Sequence, residues 1–302
     1  MTRAPLGNQA YWDEFAKFRD CAISRRIEVL EKSPANPSYD PQYRFNLARE
    51  NWECLLTRYS RGDAISDLNA YFPPILDAWE ESNRSGQSVW TEQQLRTRRS
   101  WAVNLDHYIV CFWLVGLALA LEIPDDQWQR LLALIGNEGE DELLDRIIAS
   151  RSPERKIGTK LCHPKPYQRL LDAANAPKPE QAKRLLTFVD KWHVELDRPA
   201  KRGNAPATAM YERPYWHRYG DQNFEGGAYF GRWCVEAVAA VKVFDIDDSL
   251  CLGHPNYPGD LLRPDGPTTH PAPSAMERAE ESDSLNEKAT GKRNWLARLL
   301  GR

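Results

Sequence analysis

The stretch that most constrains how this chain folds is 228–262, AYFGRWCVEAVAAVKVFDIDDSLCLGHPNYPGDLL. Over 228–244 the apolar residues Phe230, Trp233, Val235, Ala237, Val238, Val241 and Phe244 are interrupted only by the charges of Arg232, Glu236 and Lys242. Read as a helix, such a segment is apolar on nearly all sides, so protein must cover most of its circumference. Asp245-Ile246-Asp247-Asp248-Ser249 then supplies turn and capping chemistry. Beyond it, His254-Pro255 and Tyr257-Pro258-Gly259-Asp260 force an extended, folded-back strap. A central helix followed by such a strap is a packing design, and nothing in it resembles a catalytic loop.

The remaining segments read as helices able to cover it. Residues 11–32 place Trp12, Phe15, Phe18, Ile23, Ile27 and Leu30 at helical spacing, and 42–60 continue with Phe45, Leu47, Trp52, Leu55 and Leu56. Gly62 is the expected left-handed cap of that second helix. Asp63 or Ser66 is expected to cap the next, running to about Trp79, with a kink or break at Pro73-Pro74. After a loop at 82–88, one long helix is expected through Trp101 to Leu121, carrying the apolar run 109–121. Pro124 ends it and Asp125-Asp126 open another, stopped at Gly136-Asn137; a short helix follows over 138–150. Residues 164–174 and 179–196 are helical by period, 197–214 is a polar loop, and Gly226-Gly227 lets backbones approach. Strand signals are almost absent, so the expected fold is all-α.

The two halves echo each other. Leu76-Asp77-Ala78-Trp79 matches Val189-Asp190-Lys191-Trp192, and Leu121-Glu122-Ile123-Pro124-Asp125 matches Phe244-Asp245-Ile246-Asp247-Asp248, with Cys111 and Cys234 in register. This suggests two packed helical sub-bundles, an internal duplication, meeting through the apolar helices 101–121 and 228–244. The expected divisions are an N-terminal domain 10–150, a C-terminal domain 160–262, and a disordered tail 263–302 ending in a short basic amphipathic segment.

Several function classes recede on composition. With 42% hydrophobic residues, 11 Trp and 12 Tyr in 302 residues, the chain is globular. A net charge of −3 without a dominant basic patch argues against direct grip on nucleic acid. Cys21, Cys54, Cys111, Cys162, Cys234 and Cys251 are scattered without a C-x-x-C pair, as expected of reduced thiols in the cytoplasm rather than disulfides or a zinc site. The N-terminus lacks the apolar core of a signal peptide, and 109–121 falls short of the roughly 20 residues a membrane span needs. A soluble cytoplasmic protein is expected.

Catalytic motifs are few. No histidine spacing suggests a metal site, and nucleotide-binding glycine motifs are absent, so neither metal nor cofactor is expected. Asp106-His107, on the apolar helix, is a candidate catalytic pair whose plainer reading is a satisfied core histidine. Glu236, inside the apolar helix, needs a buried partner, with Arg232 or another arginine the expected one; its alternative role is a catalytic carboxylate. The acidic clusters are Glu138, Glu140, Asp141, Glu142 and Asp145; Asp125 and Asp126 beside Glu122; and Asp245, Asp247 and Asp248. They read either as solvated and helix-start charges or as a negative face for a basic partner.

One resemblance joins these observations. The run Tyr229-Phe230-Gly231-x-Trp233-Cys234-x-Glu236-Ala237-x-Ala239, then Ile246-Asp247-Asp248-Ser249, then Tyr257-Pro258-x-Asp260-Leu261, closely resembles the C-terminal signature of the PoNi family. Arg19-Asp20, Tyr59-Ser60-x-Gly62, the 65–79 helix and 112–150 are more loosely similar to its N-terminal pattern. The resemblance implies an immunity protein that binds and neutralises a cognate PoNe-type DNase toxin of interbacterial competition and type VI secretion. It also implies that the motif residues Tyr229, Phe230, Gly231, Trp233, Glu236, Tyr257, Pro258 and Asp260 are mostly structural. Since a DNase holds phosphates with positive charge, the acidic clusters are the expected partner-binding residues. Two alternatives stay open: a helical enzyme with a site near Asp106, His107 and Glu236, or a regulatory adaptor using the basic tail. A homodimer is also left open.

Overall fold

The computed structural model describes residues 1–32, 36–197, 214–221 and 228–271. Most of the expected 197–214 loop, the Gly226-Gly227 pair and the basic end of the chain lie outside the described residues. Among those described there are ten α-helices and no strand: α1 Gln9–Lys32, α2 Asp40–Arg61, α3 Phe72–Gly86, α4 Glu92–Arg99, α5 Leu105–Ala120, α6 Asp125–Ile135, α7 Glu142–Ala149, α8 Pro164–Asn175, α9 Lys178–Glu195 and α10 Val235–Phe244. The all-α expectation holds.

Local chemistry sets most boundaries. Gly62 caps α2 at φ 98°, and its N–H meets the carbonyl oxygens of Arg58 and Tyr59. Pro73-Pro74 fall in the first turn of α3, where the missing N–H groups need no partner, and a 3₁₀ turn, Ile65–Tyr71, precedes them. Neither Asp63 nor Ser66 caps that turn; Asp63 takes a two-pronged ion pair from Arg61 instead. The expected loop at 82–88 is mostly helix, because Ser82 is buried with its hydroxyl on the Pro41 carbonyl at 2.6 Å.

Two other expectations are corrected. The long helix ending at Leu121 is two helices: Thr91 and Gln94 form a capping box on α4, and Asn104 caps α5 through the His107 N–H. The organising helix begins only at Val235. Before it, Tyr229, Phe230 and Trp233 are buried in irregular backbone, where Gly231 sits at φ 100°. A Cβ at Gly231 would lie 2.1 Å from Trp233 Nε1 and 2.5 Å from Ser60 Oγ, so no other residue fits.

The two apolar helices do form the centre. Every residue of α5 from His107 to Leu119 is buried, as is α10 from Val235 to Val241. They touch where Gly116 faces Val235 and Ala239; a Cβ on Gly116 would come 2.8 Å from Val235 Cγ1. Both end on the same side, where Lys242 reaches Glu122 at 2.8 Å. Each is followed by the same turn: Glu122 and Asp245 are left-handed at φ 52° and 51°, and Ile123 and Ile246 beyond them are buried. Around this pair, α1, α2 and α3 pack in sequence, α6 lies on α3, and α8 pairs with α9.

The strap closes the molecule. Asp260 accepts from Arg3 Nε at 2.5 Å and from the Thr269 N–H at 2.6 Å. Burial works against its charge, but these donors outweigh it and hold the carboxyl below its ordinary range. Asp248 takes a 2.6 Å bond from the Tyr257 hydroxyl and a 2.9 Å bond from Arg263 Nη1. The packed chain runs beyond the expected start of the tail: His270 is buried, with Nε2 2.9 Å from the Tyr59 hydroxyl.

Candidate partner-binding surface

The acidic residues divide into two kinds. Asp141 and Asp145 are fully buried, and Asp248 nearly so. Asp141 caps α7 by accepting from Leu143 and Leu144, and its other oxygen takes the Cys162 N–H at 2.7 Å. The Tyr108 hydroxyl adds a 3.1 Å bond, yet burial still raises the Asp141 carboxyl above its usual range. Asp145 pairs with Arg155 at 2.8 Å and accepts the N–H groups of Gly139, Asp141 and Gly158. These three aspartates hold loops and are not presented to a partner.

The exposed acids form the candidate surface. Glu122, Asp245 and Asp247 stand on the turns that follow α5 and α10, and Asp125 and Asp126 in the first turn of α6; the Lys242–Glu122 pair joins the two turns. Asp125 and Asp245 are 92% and 100% exposed at the side chain although Arg151 and Lys178 lie against them. The Ser249 N–H lowers the Asp247 carboxyl below its usual range. Glu138 and Glu140 are exposed on the loop before α7, while Glu142 is half-buried at its first turn.

Glu236 is fully buried and holds four helices together. Its carboxylate accepts from Trp113 Nε1 on α5 at 3.2 Å, from the Tyr167 hydroxyl on α8 at 2.9 Å, and from Trp192 Nε1 on α9 at 3.2 Å. The expected arginine is not there: Arg232 points to the Tyr219 carbonyl at 2.8 Å and to Asp221 at 2.6 Å. Burial lifts the carboxyl to about 7 against the pull of its donors. A carboxylate ringed by neutral donors from three helices fixes a packing arrangement.

Asp106 and His107 do not join it. Both line a separate cleft beside α2, α3 and α4 whose walls do not include Glu236. His107 Nε2 lies 3.4 Å from Cys111 Sγ, and burial, with Arg99 nearby, lowers its pKa to about 4. Among the described residues no three His, Cys, Asp or Glu side chains gather as a metal site, and no helix is long and apolar enough to cross a membrane.

Both halves of this architecture match one family. The model for the N-terminal part of PoNe immunity protein (PoNi) covers residues 3–133, and the model for the C-terminal part of PoNe immunity proteins (PoNi) covers 139–261. The chain belongs to the PoNi family. Its two family segments meet near the Gly136-Asn137 turn after α6. A search of curated proteins finds no match. Among solved structures, the crystal structure of protein PA2201 from Pseudomonas aeruginosa is similar, with a TM-score of 0.62 and 18% identity over 87% of this chain and 89% of that one. At that identity the likeness is one of fold.

The buried signature of this PoNi chain explains itself. Tyr229, Phe230, Trp233, Glu236, Tyr257 and Asp260 are all 3% exposed or less, and Gly231 and Pro258 are buried with them. The N-terminal motif Tyr59-Ser60-x-Gly62 lies directly against this signature, since Ser60 Oγ bonds the Phe230 carbonyl at 2.8 Å. The sequence reading missed that contact, although both motifs were visible separately.

Proposed function

We propose that this chain is a non-enzymatic immunity protein that binds a cognate PoNe DNase toxin in the cytoplasm of the producing cell and neutralises it during interbacterial competition. Membership of the PoNi family along nearly the whole chain carries this reading. The exposed acids Glu122, Asp125, Asp126, Asp245 and Asp247, together with Glu138 and Glu140, are the proposed docking charges. A nuclease must present positive charge to hold phosphates, so a negative face speeds encounter and disfavours wrong partners. The buried placement of Glu236, and its separation from the Asp106–His107 cleft, weighs against one catalytic site built from all three.

The test is co-purification with the toxin domain encoded beside this chain, scored by DNA cleavage in the same tube. A stable complex that stops cleavage supports the reading. Separate elution with undiminished cleavage sinks it.

A further inference from the structure

The cleft that holds Asp106 and His107 has a volume of about 990 Å³, at the upper end of small-ligand pockets. Its walls combine two chemistries. Phe45, Trp52, Trp79, Trp90 and Tyr215 provide flat apolar faces, and Arg49, Arg98, Arg99 and Arg218 provide guanidinium groups. Asp106 is the one carboxylate among the described lining residues, and burial, against the pull of Arg49, brings it to about 7. Four arginines, with Glu53 lying behind Arg49, thus outnumber the carboxylates around an aromatic floor.

Its hydrogen-bonding capacity is incompletely used. Trp52 is 2% exposed, yet its indole N–H has no hydrogen-bond acceptor among the described residues; Asp106 Oδ1 is likewise buried without a hydrogen bond, and Arg49 Nε, 3.9 Å from Glu53 Oε1, is too far to hydrogen-bond it. Arg99 donates to the Asn83 side-chain oxygen at 2.7 Å, and no carboxylate among the described residues offsets its charge. Burial, and then the repulsion of Arg98 beside it, lower the Arg99 pKa below its ordinary value. Buried donors without acceptors are costly, and a guanidinium facing another guanidinium is stabilised by an anion set between them.

We propose that this cleft binds an anion, a carboxylate or phosphate group carried on a flat ring, with the charge held by Arg99 and Arg218 and the ring lying on the tryptophans. The arginine fork suits both anions, and stacking of a ring on the aromatic floor supplies the apolar contact. The ligand is either a free small molecule or an acidic residue beside an aromatic one on a bound peptide segment. The proposal does not depend on toxin binding.

The experiment titrates the full chain with phenyl phosphate, benzoate and a capped Trp-Glu dipeptide, reading intrinsic tryptophan fluorescence and the thermal midpoint. Phenol and inorganic phosphate serve as the ring alone and the charge alone. The ring-bearing anions are expected to bind at least about tenfold more tightly than either control, and Arg99→Gln with Arg218→Gln to weaken them about tenfold or more. Tighter binding of the dipeptide assigns the site to a peptide segment; tighter binding of phenyl phosphate or benzoate assigns it to a small molecule. Should the double variant not fold, the exposed Arg218→Gln alone carries the comparison. Equal affinity for phenol or for inorganic phosphate, no binding of any ring-bearing anion, or unchanged affinity in the variant overturns the proposal. Toxin inhibition by the same variant is scored separately, so either reading can fail without the other.

Discussion

Trp233 Nε1 donates to the Ser60 hydroxyl at 2.8 Å, and that hydroxyl donates in turn to the Phe230 carbonyl at 2.8 Å. One small side chain on α2 thus satisfies both a buried indole and a buried backbone carbonyl in the irregular run before α10. Removing it leaves two polar groups without partners in a space closed to water. Ser60→Ala is expected to lower stability by about 2–4 kcal/mol, since each stranded group costs about 1–3 kcal/mol. Urea unfolding checks this, and the midpoint should fall with the slope unchanged. A midpoint within error of the parent would mean the Ser60 bridge is not holding the motif.

The Glu236 network gives a dependence on pH. Because the folded carboxyl titrates at about 7 and the ordinary value is 4.5, the native state holds a proton that the unfolded chain has released between those values. Stability contributed by this group is therefore full below about pH 4.5 and falls as pH rises to about 7, by about 3 kcal/mol in all. Glu236→Gln removes the titration, while Asp106, raised to about 7 in the same way, remains in both proteins and cancels from the difference. The variant is expected to show a flatter stability curve over that window in urea melts at stepped pH. Parallel curves would refute the assignment.

Gly116→Ala tests the contact between the central helices. Its new methyl meets Val235 Cγ1 at 2.8 Å and the Val235 carbonyl oxygen at 3.1 Å, so α5 and α10 must separate or distort. A loss of about 1–3 kcal/mol is expected from overpacking. Pairing it with Val235→Ala, which deletes the clashing carbon, should recover part of the loss as a measurable coupling energy.

Acids that look alike in sequence should behave oppositely. Asp125→Asn with Asp245→Asn, which keeps the left-handed residue at 245 compatible with its backbone, is expected to slow toxin association several-fold at low salt with only a small change in thermal midpoint. Asp145→Ala strands Arg155 in the interior and is expected to destabilise the fold by about 3–5 kcal/mol. Stopped-flow association and chemical unfolding separate the two. Equal association rates for the asparagine variant and the parent would remove this surface from the interface.

These contrasts show what was legible beforehand. Gly62, Pro73-Pro74, Pro124 and Gly136 announce their turns because each acts through its own backbone, and the structure uses all four as boundaries. The Asn104 cap was hidden inside a run that is apolar from Trp101 onward save for a few polar residues. The irregular backbone at 229–234 was illegible for a different reason: its apolar pattern imitates a helix, and the residue that holds it otherwise, Ser60, is 170 positions away. Burial of Asp141, Asp145 and Asp248 depends on partners supplied by other segments, so charge alone suggested a surface. The cationic cleft draws arginines from α2, from α4 and from the segment before α10, and no local run of sequence brings them together.

The clasp between Arg3 and Asp260 spans 257 positions of chain. A ribosome adding about 5–20 residues per second needs on the order of tens of seconds to travel that distance. Throughout that interval Arg3 has no Asp260 to meet, and the signature that covers the central helices has not yet emerged. A newly made copy thus lacks this clasp, and the cover it gives the central helices, until the last part of the strap is synthesised.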